Sequence, residues 1–133
     1  MAATLHYPLL LTLFFYLSTT SFAEDSAVVA RPVVHIISAM DKNTAPIKLR
    51  CKVNGAVKIL HALNAGEDYQ WSAAENDVYY CDVIWGSSFA AWHGFEPKRD
   101  EGHETIFWKV NEDGFFFSWD GSRWEKKFTW ETD

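Results

Sequence analysis

Cysteine is scarce in this chain, with two residues among 133. Two thiols cannot supply a disulfide-built scaffold, so the core has to come mainly from side chains. Charge is thin as well: 23% of residues are charged, 12 basic against 18 acidic, and no block of Lys or Arg answers a formal charge of −6. Nucleic-acid and anionic-membrane roles need a concentrated positive footprint and are therefore disfavoured. The chain has no internal repeat, low-complexity tract or interdomain linker. It also has no N-x-S/T sequon, so N-glycans are not expected to mask its surface. What it has instead is apolar and aromatic bulk: 48% hydrophobic residues, with 7 Trp, 10 Phe and 5 Tyr. Such a composition argues for one folded domain and against disorder.

The concentrated apolar run is Leu9 to Leu17, followed by small and polar residues from Ser18 to Ala23. It reads as a secretory signal peptide over 1–23, cut after Ala23. The run is short for a bilayer span and leads into acidic Glu24-Asp25 instead of a basic flank. Residues 24–32 then read as a flexible N-terminal segment and 33–133 as the folded domain. No second long apolar segment follows, so direct membrane insertion of the mature chain is not expected. In an oxidising compartment Cys51 and Cys81 are the available intrachain pair. Bridging them closes a loop of about 30 residues, worth roughly 3.5 kcal/mol in the chain-entropy model.

From Val33 onward short strands alternate with turn residues. Ile47, Leu49, Cys51 and Val53 alternate with Lys48, Arg50 and Lys52, while Tyr79, Cys81, Val83 and Trp85 alternate with Tyr80, Asp82 and Ile84. Each strand has one apolar face that carries its cysteine, so both half-cystines belong in one core. Further strands are expected at Val33 to Ser38, Val57 to Leu63, Asp68 to Ala73 and Phe89 to Phe95. Asp113-Gly114 and Asp120-Gly121 are hairpin signals. Two-residue turns there set Glu112 against Phe115, Val110 against Phe117, Trp108 against Trp119, and Phe117 against Trp124. Together they predict a three-stranded meander with Lys109, Ser118, Arg123, Glu125 and Lys127 on its outer side. At Asn54-Gly55 a bulged turn is expected, because it points Val57 and Ile59 inward. The sum is an all-β fold, a small antiparallel β-sandwich with one disulfide.

Chemistry-bearing motifs are few. His35, His61, His93 and His103 lie in no metal motif, and neither Cys has a second Cys or a His at ligand spacing, so no metal or cofactor is expected. Ser87 and Ser88 follow Gly86 without a nucleophile elbow, and no catalytic residue is assigned. The tryptophans invite a sugar-binding reading, yet Trp71, Trp85, Trp108, Trp119 and Trp124 occupy inward positions of the pattern, and Phe128 and Trp130 extend it. The longest polar loop runs from Glu96 to Glu104 and is the candidate recognition element, with Lys98, Arg99, Asp100, Glu101, His103 and Glu104 as its partner-binding residues.

A set of segments then occurs in a telling order: Val33-Val34-His35-Ile36-Ile37, Leu49-Arg50-Cys51-Lys52, Ala65-Gly66-Glu67-Asp68-Tyr69, Tyr80-Cys81-Asp82-Val83-Ile84-Trp85, Trp92-His93-Gly94-Phe95, Lys98-Arg99-Asp100 and Trp108-Lys109-Val110-Asn111-Glu112-Asp113-Gly114. In this the chain resembles the plant self-incompatibility protein family, the S-protein homologues. The resemblance implies a small secreted β-sandwich of the apoplast without enzymatic activity. Founding members act as pistil ligands that meet a pollen-surface receptor. It also implies that Cys51 and Cys81 match the family's first two cysteines. Two departures stand out: members commonly carry a second cysteine pair where this chain has Ile106-Phe107-Trp108 and Phe115-Phe116-Phe117, and Ser38 replaces the usual Asn after the first strand. The expected function is a secreted ligand for a cell-surface or other extracellular protein. The alternative is an apoplastic carbohydrate-binding module, which requires exposed tryptophans in a strip.

Overall fold

A computed structural model describes residues 31–132. The signal peptide expected over 1–23, and the part of the flexible segment up to residue 30, lie outside the described residues. Ten strands follow one another: β1 (Val33–Ser38), β2 (Ile47–Val53), β3 (Ala56–Leu63), β4 (Asp68–Ser72), β5 (Tyr79–Trp85), β6 (Ser88–Phe95), β7 (Thr105–Asn111), β8 (Gly114–Ser118), β9 (Glu125–Phe128) and β10 (Glu131–Thr132). They make two five-stranded sheets, ordered β4-β1-β7-β8-β9 (sheet one) and β10-β6-β5-β2-β3 (sheet two). The β-sandwich expected from the alternation is thus the fold. One pairing departs from all-antiparallel: β1 runs parallel to β7, with Val34 beside Ile106 and Ile36 beside Trp108. No turn signal announces that contact, because a parallel neighbour arrives by a long crossover.

The core is where the two inner faces meet. Val34, Ile36, Ile106, Val110 and Phe115 of sheet one pack in one cluster with Ile47, Leu49, Leu63 and Val83 of sheet two. Burying a side chain such as Phe115 contributes about 2–3 kcal/mol by the transfer of its apolar area. Phe115 stacks on Phe128 at 4.6 Å, and Trp92 meets Phe115, Trp108 and Phe128 within 6.0 Å. This aromatic block includes Phe115 and Trp108, from the segments where the resemblance places a second cysteine pair.

Cys51 and Cys81 sit directly opposite one another in the β2–β5 ladder and are bonded, so the bridge lies within sheet two. Gly94 makes room for it. The β5–β6 register shifts where Tyr79 pairs with Phe95 and Tyr80 with His93, leaving Gly94 as the extra residue. A Cβ on Gly94 would stand 2.7 Å from Cys81 Sγ. A glycine at a bulge is how a strand lets another group approach closely. Replacing both cysteines by Ala is expected to lower unfolding free energy by about 3 kcal/mol. Chemical denaturation of the oxidised protein beside the double variant measures this; equal midpoints would show that the bridge adds no stability.

Three turns correct the expected register. In the β2–β3 hairpin, Asn54 (φ 51°) and Gly55 (φ 81°) form a two-residue turn closed by Val53 and Ala56, and the bulge comes later, opposite Cys51 and Lys52. Ile59 therefore reaches the core, but Val57 pairs with outward Lys52 and is half exposed. In the β7–β8 hairpin Asn111 pairs with Gly114, Val110 with Phe115 and Trp108 with Phe117. The turn residues are Glu112 and Asp113, because Asn111 Oδ1 accepts the N–H groups of Asp113 (2.8 Å) and Gly114 (3.1 Å). The displacement is two residues, so every side chain keeps its face.

The β8–β9 connection is different in kind. Asp120-Gly121 closes no tight hairpin; Phe117 pairs with Glu125 and Phe116 with Lys126 across a longer loop. An odd shift moves Trp124 out of the core stripe. Its ring meets Phe107 edge-on at 6.4 Å with Lys109 Nζ 4.2 Å above it, and Phe107 in turn stacks on His35. Ser118, expected on the outer side, is buried where the loop begins.

Candidate functional site

The Glu96-to-Glu104 segment joins β6 to β7, crossing from one sheet to the other. Its residues divide into two groups. Asp100 has no exposed side-chain surface. Its carboxylate accepts Arg99 Nε (2.8 Å), Arg99 Nη2 (2.8 Å) and the Glu96 N–H (2.8 Å). Arg99 also donates to the carbonyls of His93 (3.0 Å) and Gly94 (3.4 Å). Its guanidinium carbon lies 5.3 Å from the Trp108 ring centre and 5.5 Å from that of Phe117. Trp108 Nε1 donates to the same Gly94 carbonyl. A planar, always charged fork suits this position, since it pairs bidentately and lies over aromatic faces. Of the expected partner-binding residues, Asp100 is thus enclosed and Arg99 is part-buried beside it.

Lys98, Glu101, His103 and Glu104 are the exposed members. His103 lies flat on Trp119, ring centres 3.4 Å apart and planes 11° apart, and Trp119 abuts Phe117 edge-on at 4.6 Å. The loop is thus attached to the aromatic core twice, through Arg99 and through His103. Beneath it a cleft of 370 Å³ opens between Trp92, Trp108, Phe117, Trp119 and Lys127.

Next to it, the Trp119-to-Trp124 loop is organised by one carboxylate. Asp120 Oδ1 accepts the N–H groups of Arg123 (2.9 Å) and Ser122 (2.8 Å) and the Ser118 hydroxyl (3.0 Å). Those donors, the Arg123 N–H foremost, hold the Asp120 carboxyl well below its ordinary value of 3.8. A depressed folded-state value means that the contribution is fully present above the unfolded pKa and is lost only as pH falls through the lower folded value. The loop is expected to keep this carboxylate charged at a pH where unfolded Asp is protonated. A side-chain ¹³C titration would contradict this with a midpoint at 3.8 or above.

Three histidines face carboxylates: His35 with Asp68 at 3.0 Å, His61 with Glu67 at 2.7 Å and His93 with Glu96 at 3.2 Å. Glu67 is lowered by the Asn64 N–H first and His61 second. Among the described residues no three His, Cys, Asp or Glu side chains are placed to hold a metal ion. The seven tryptophans are buried or half-buried, and none is exposed as a platform.

The outer face of sheet two went unread in the sequence. Lys48, Arg50 and Lys52 of β2 form a row across it. Arg50 pairs with Asp82 at 3.0 Å, whereas Lys48 and Lys52 make no ion pair among the described residues. The i, i+2 spacing was visible, but not the apolar neighbours Leu60, Tyr80 and Ile84 that the β2–β3 and β2–β5 registers supply.

Fold, bridge and loop together define a small disulfide-pinned β-sandwich whose β6–β7 connection is tied to the aromatic core. The chain belongs to the plant self-incompatibility protein S1 family, whose model matches residues 33–130. Among solved structures, one of self-incompatibility protein homologues, described as "a widespread family of small, highly stable, secreted proteins from plants", matches with a TM-score of 0.56 at 13% identity. The match covers 77% of this chain and 97% of that one, and at such identity it speaks for the fold. Sequence comparison with curated proteins returns no match.

Proposed function

We propose that this protein is a secreted, non-enzymatic ligand of the plant apoplast that meets a protein on a cell surface. The observation that carries the reading is the β6–β7 loop. Arg99 and Asp100 tie it to the core while Lys98, Glu101, His103 and Glu104 stay exposed. A pre-ordered polar loop loses little conformational entropy on binding, which favours recognition over a mobile connection. Membership of the S1 family and the description of the solved homologues as secreted support the extracellular setting.

The test leaves the structural pair intact. A triple variant, Lys98→Ala, Glu101→Ala and Glu104→Ala, is compared with wild type for saturable binding to intact plant cells. The expected result is at least a tenfold loss of affinity with an unchanged melting temperature. Wild-type affinity in the variant would remove the loop from the binding surface.

A further inference from the structure

Val57, Leu60, Tyr80, Ile84 and Phe89 are the exposed large hydrophobic residues of the described chain, with Leu60 at 77%. All of them lie on β3, β5 and β6, in sheet two. Scattered exposed apolar residues need no explanation, but their confinement to one sheet marks a contact surface. The register interleaves them with the cation row. Lys48 stands beside Ile84, Arg50 beside Leu60 and Asp82, and Lys52 beside Val57 and Tyr80. Ile84 continues to Phe89, and Tyr80 to His93. At two residues per step the lysines stand about 14 Å apart along β2. Two acidic side chains share this face: Asp82, engaged by Arg50, and Glu131 of β10, beside Phe89 at the sheet edge. Around Lys48, Arg50 and Lys52 the face is therefore basic and apolar on a chain whose formal charge is −6.

We propose that this outer face of sheet two docks an acidic, partly apolar surface of a protein partner. The proposal rests on the reading of the chain as a ligand for a cell-surface protein and adds a second contact surface to the β6–β7 loop. Charge complementarity selects the occupant. Two copies stacked face to face would set one lysine row against the other, and like charges so placed oppose association. Aliphatic Leu60, Ile84 and Val57 give the desolvated centre, and Lys48 and Lys52 steer a negative partner and set its register. Because the lysines are exposed, the attraction is screened within about 8 Å at physiological salt.

The test uses fluorescently labelled full-length secreted protein on intact plant cells, with and without trypsin shaving, and on phosphatidylserine/phosphatidylcholine vesicles. Two face variants, K48E/K52E and L60S/I84S, are compared with the loop triple variant, all checked for wild-type circular dichroism. Support is a trypsin-sensitive, saturable binding that weakens at least tenfold in K48E/K52E, weakens in L60S/I84S, and falls with added salt. Wild-type binding by both face variants while the loop variant loses it would overturn the docking face and leave the ligand reading standing. Absence of any saturable, trypsin-sensitive binding by the wild type would overturn both. Binding that survives trypsin and recurs on the anionic vesicles would overturn the proposal in favour of a lipid surface. Concentration-dependent dimerisation abolished by L60S/I84S would overturn it in favour of a second copy.

Discussion

Replacing Gly114 by Ala is expected to lower unfolding free energy by about 4 kcal/mol, close to half the stability of a domain this size. Two effects combine. Gly114 closes the β7–β8 turn at φ +144°, a backbone conformation that an L side chain adopts at a cost of about 1–3 kcal/mol. The added Cβ also points at the Phe128 carbonyl oxygen and lies 3.3 Å from Thr129 Cα. Backbone cannot rotate away as a side-chain tip can, so β9 has to separate from β8. That displaces Phe128 from Phe115, and with it the stack at the centre of the aromatic block. Gly55→Ala is the control: φ is also positive at +81° but its Cβ would meet nothing within 4 Å, so only the conformational cost applies. Urea denaturation of the two variants separates strain from collision. Equal losses would show that the approach of Phe128 is unimportant.

Asp100→Ala is expected to cost about 4 kcal/mol and to lower the melting temperature by roughly 20 °C. The mutation removes the acceptor of three short charge-assisted bonds and leaves the Glu96 N–H and the Arg99 fork without it. An uncompensated group in an enclosed site is more costly than the intact pair is stabilising. Asp100→Asn keeps the shape and one acceptor oxygen, so a smaller loss is expected. Loss of cell binding in Asp100→Ala would follow from a melted loop and not from a missing contact. The informative comparison is therefore at a temperature where Asp100→Asn is still folded. Wild-type stability in Asp100→Ala would contradict the enclosed ion pair.

The candidate loop illustrates how far the residues alone could be read. Its position, polarity and length are local properties, and Lys98, Glu101 and Glu104 are exposed as a polar run suggests. What Arg99 and Asp100 do was not legible, because Trp108 and Phe117, over which the guanidinium lies, are 9 and 18 residues away on other strands. A polar tract gives no sign that one of its carboxylates will have zero exposed surface. The basic face misled in the opposite direction. Lys48, Arg50 and Lys52 form no block along the chain, since alternation separates them; alternation is also what gathers them on one side of β2.

Alternation by itself determined the all-β class, most of the strands and the inward cysteines, because a period of two assigns every side chain to a face without knowledge of its neighbours; the Cys51–Cys81 pairing followed from there being two cysteines in all. Only the tertiary structure decided register and adjacency. Asn111 capping its own turn moved one hairpin by two residues, and Asp120 collecting the Arg123 and Ser122 N–H groups moved the next by an odd number, which took Trp124 to the outside. The parallel β1–β7 contact, the glycine that clears Cys81 and the apolar neighbours of the lysine row likewise depend on strands distant in sequence. Periodicity is a property of each strand, whereas register is set by the turn that joins two strands and adjacency by which inner faces together exclude water.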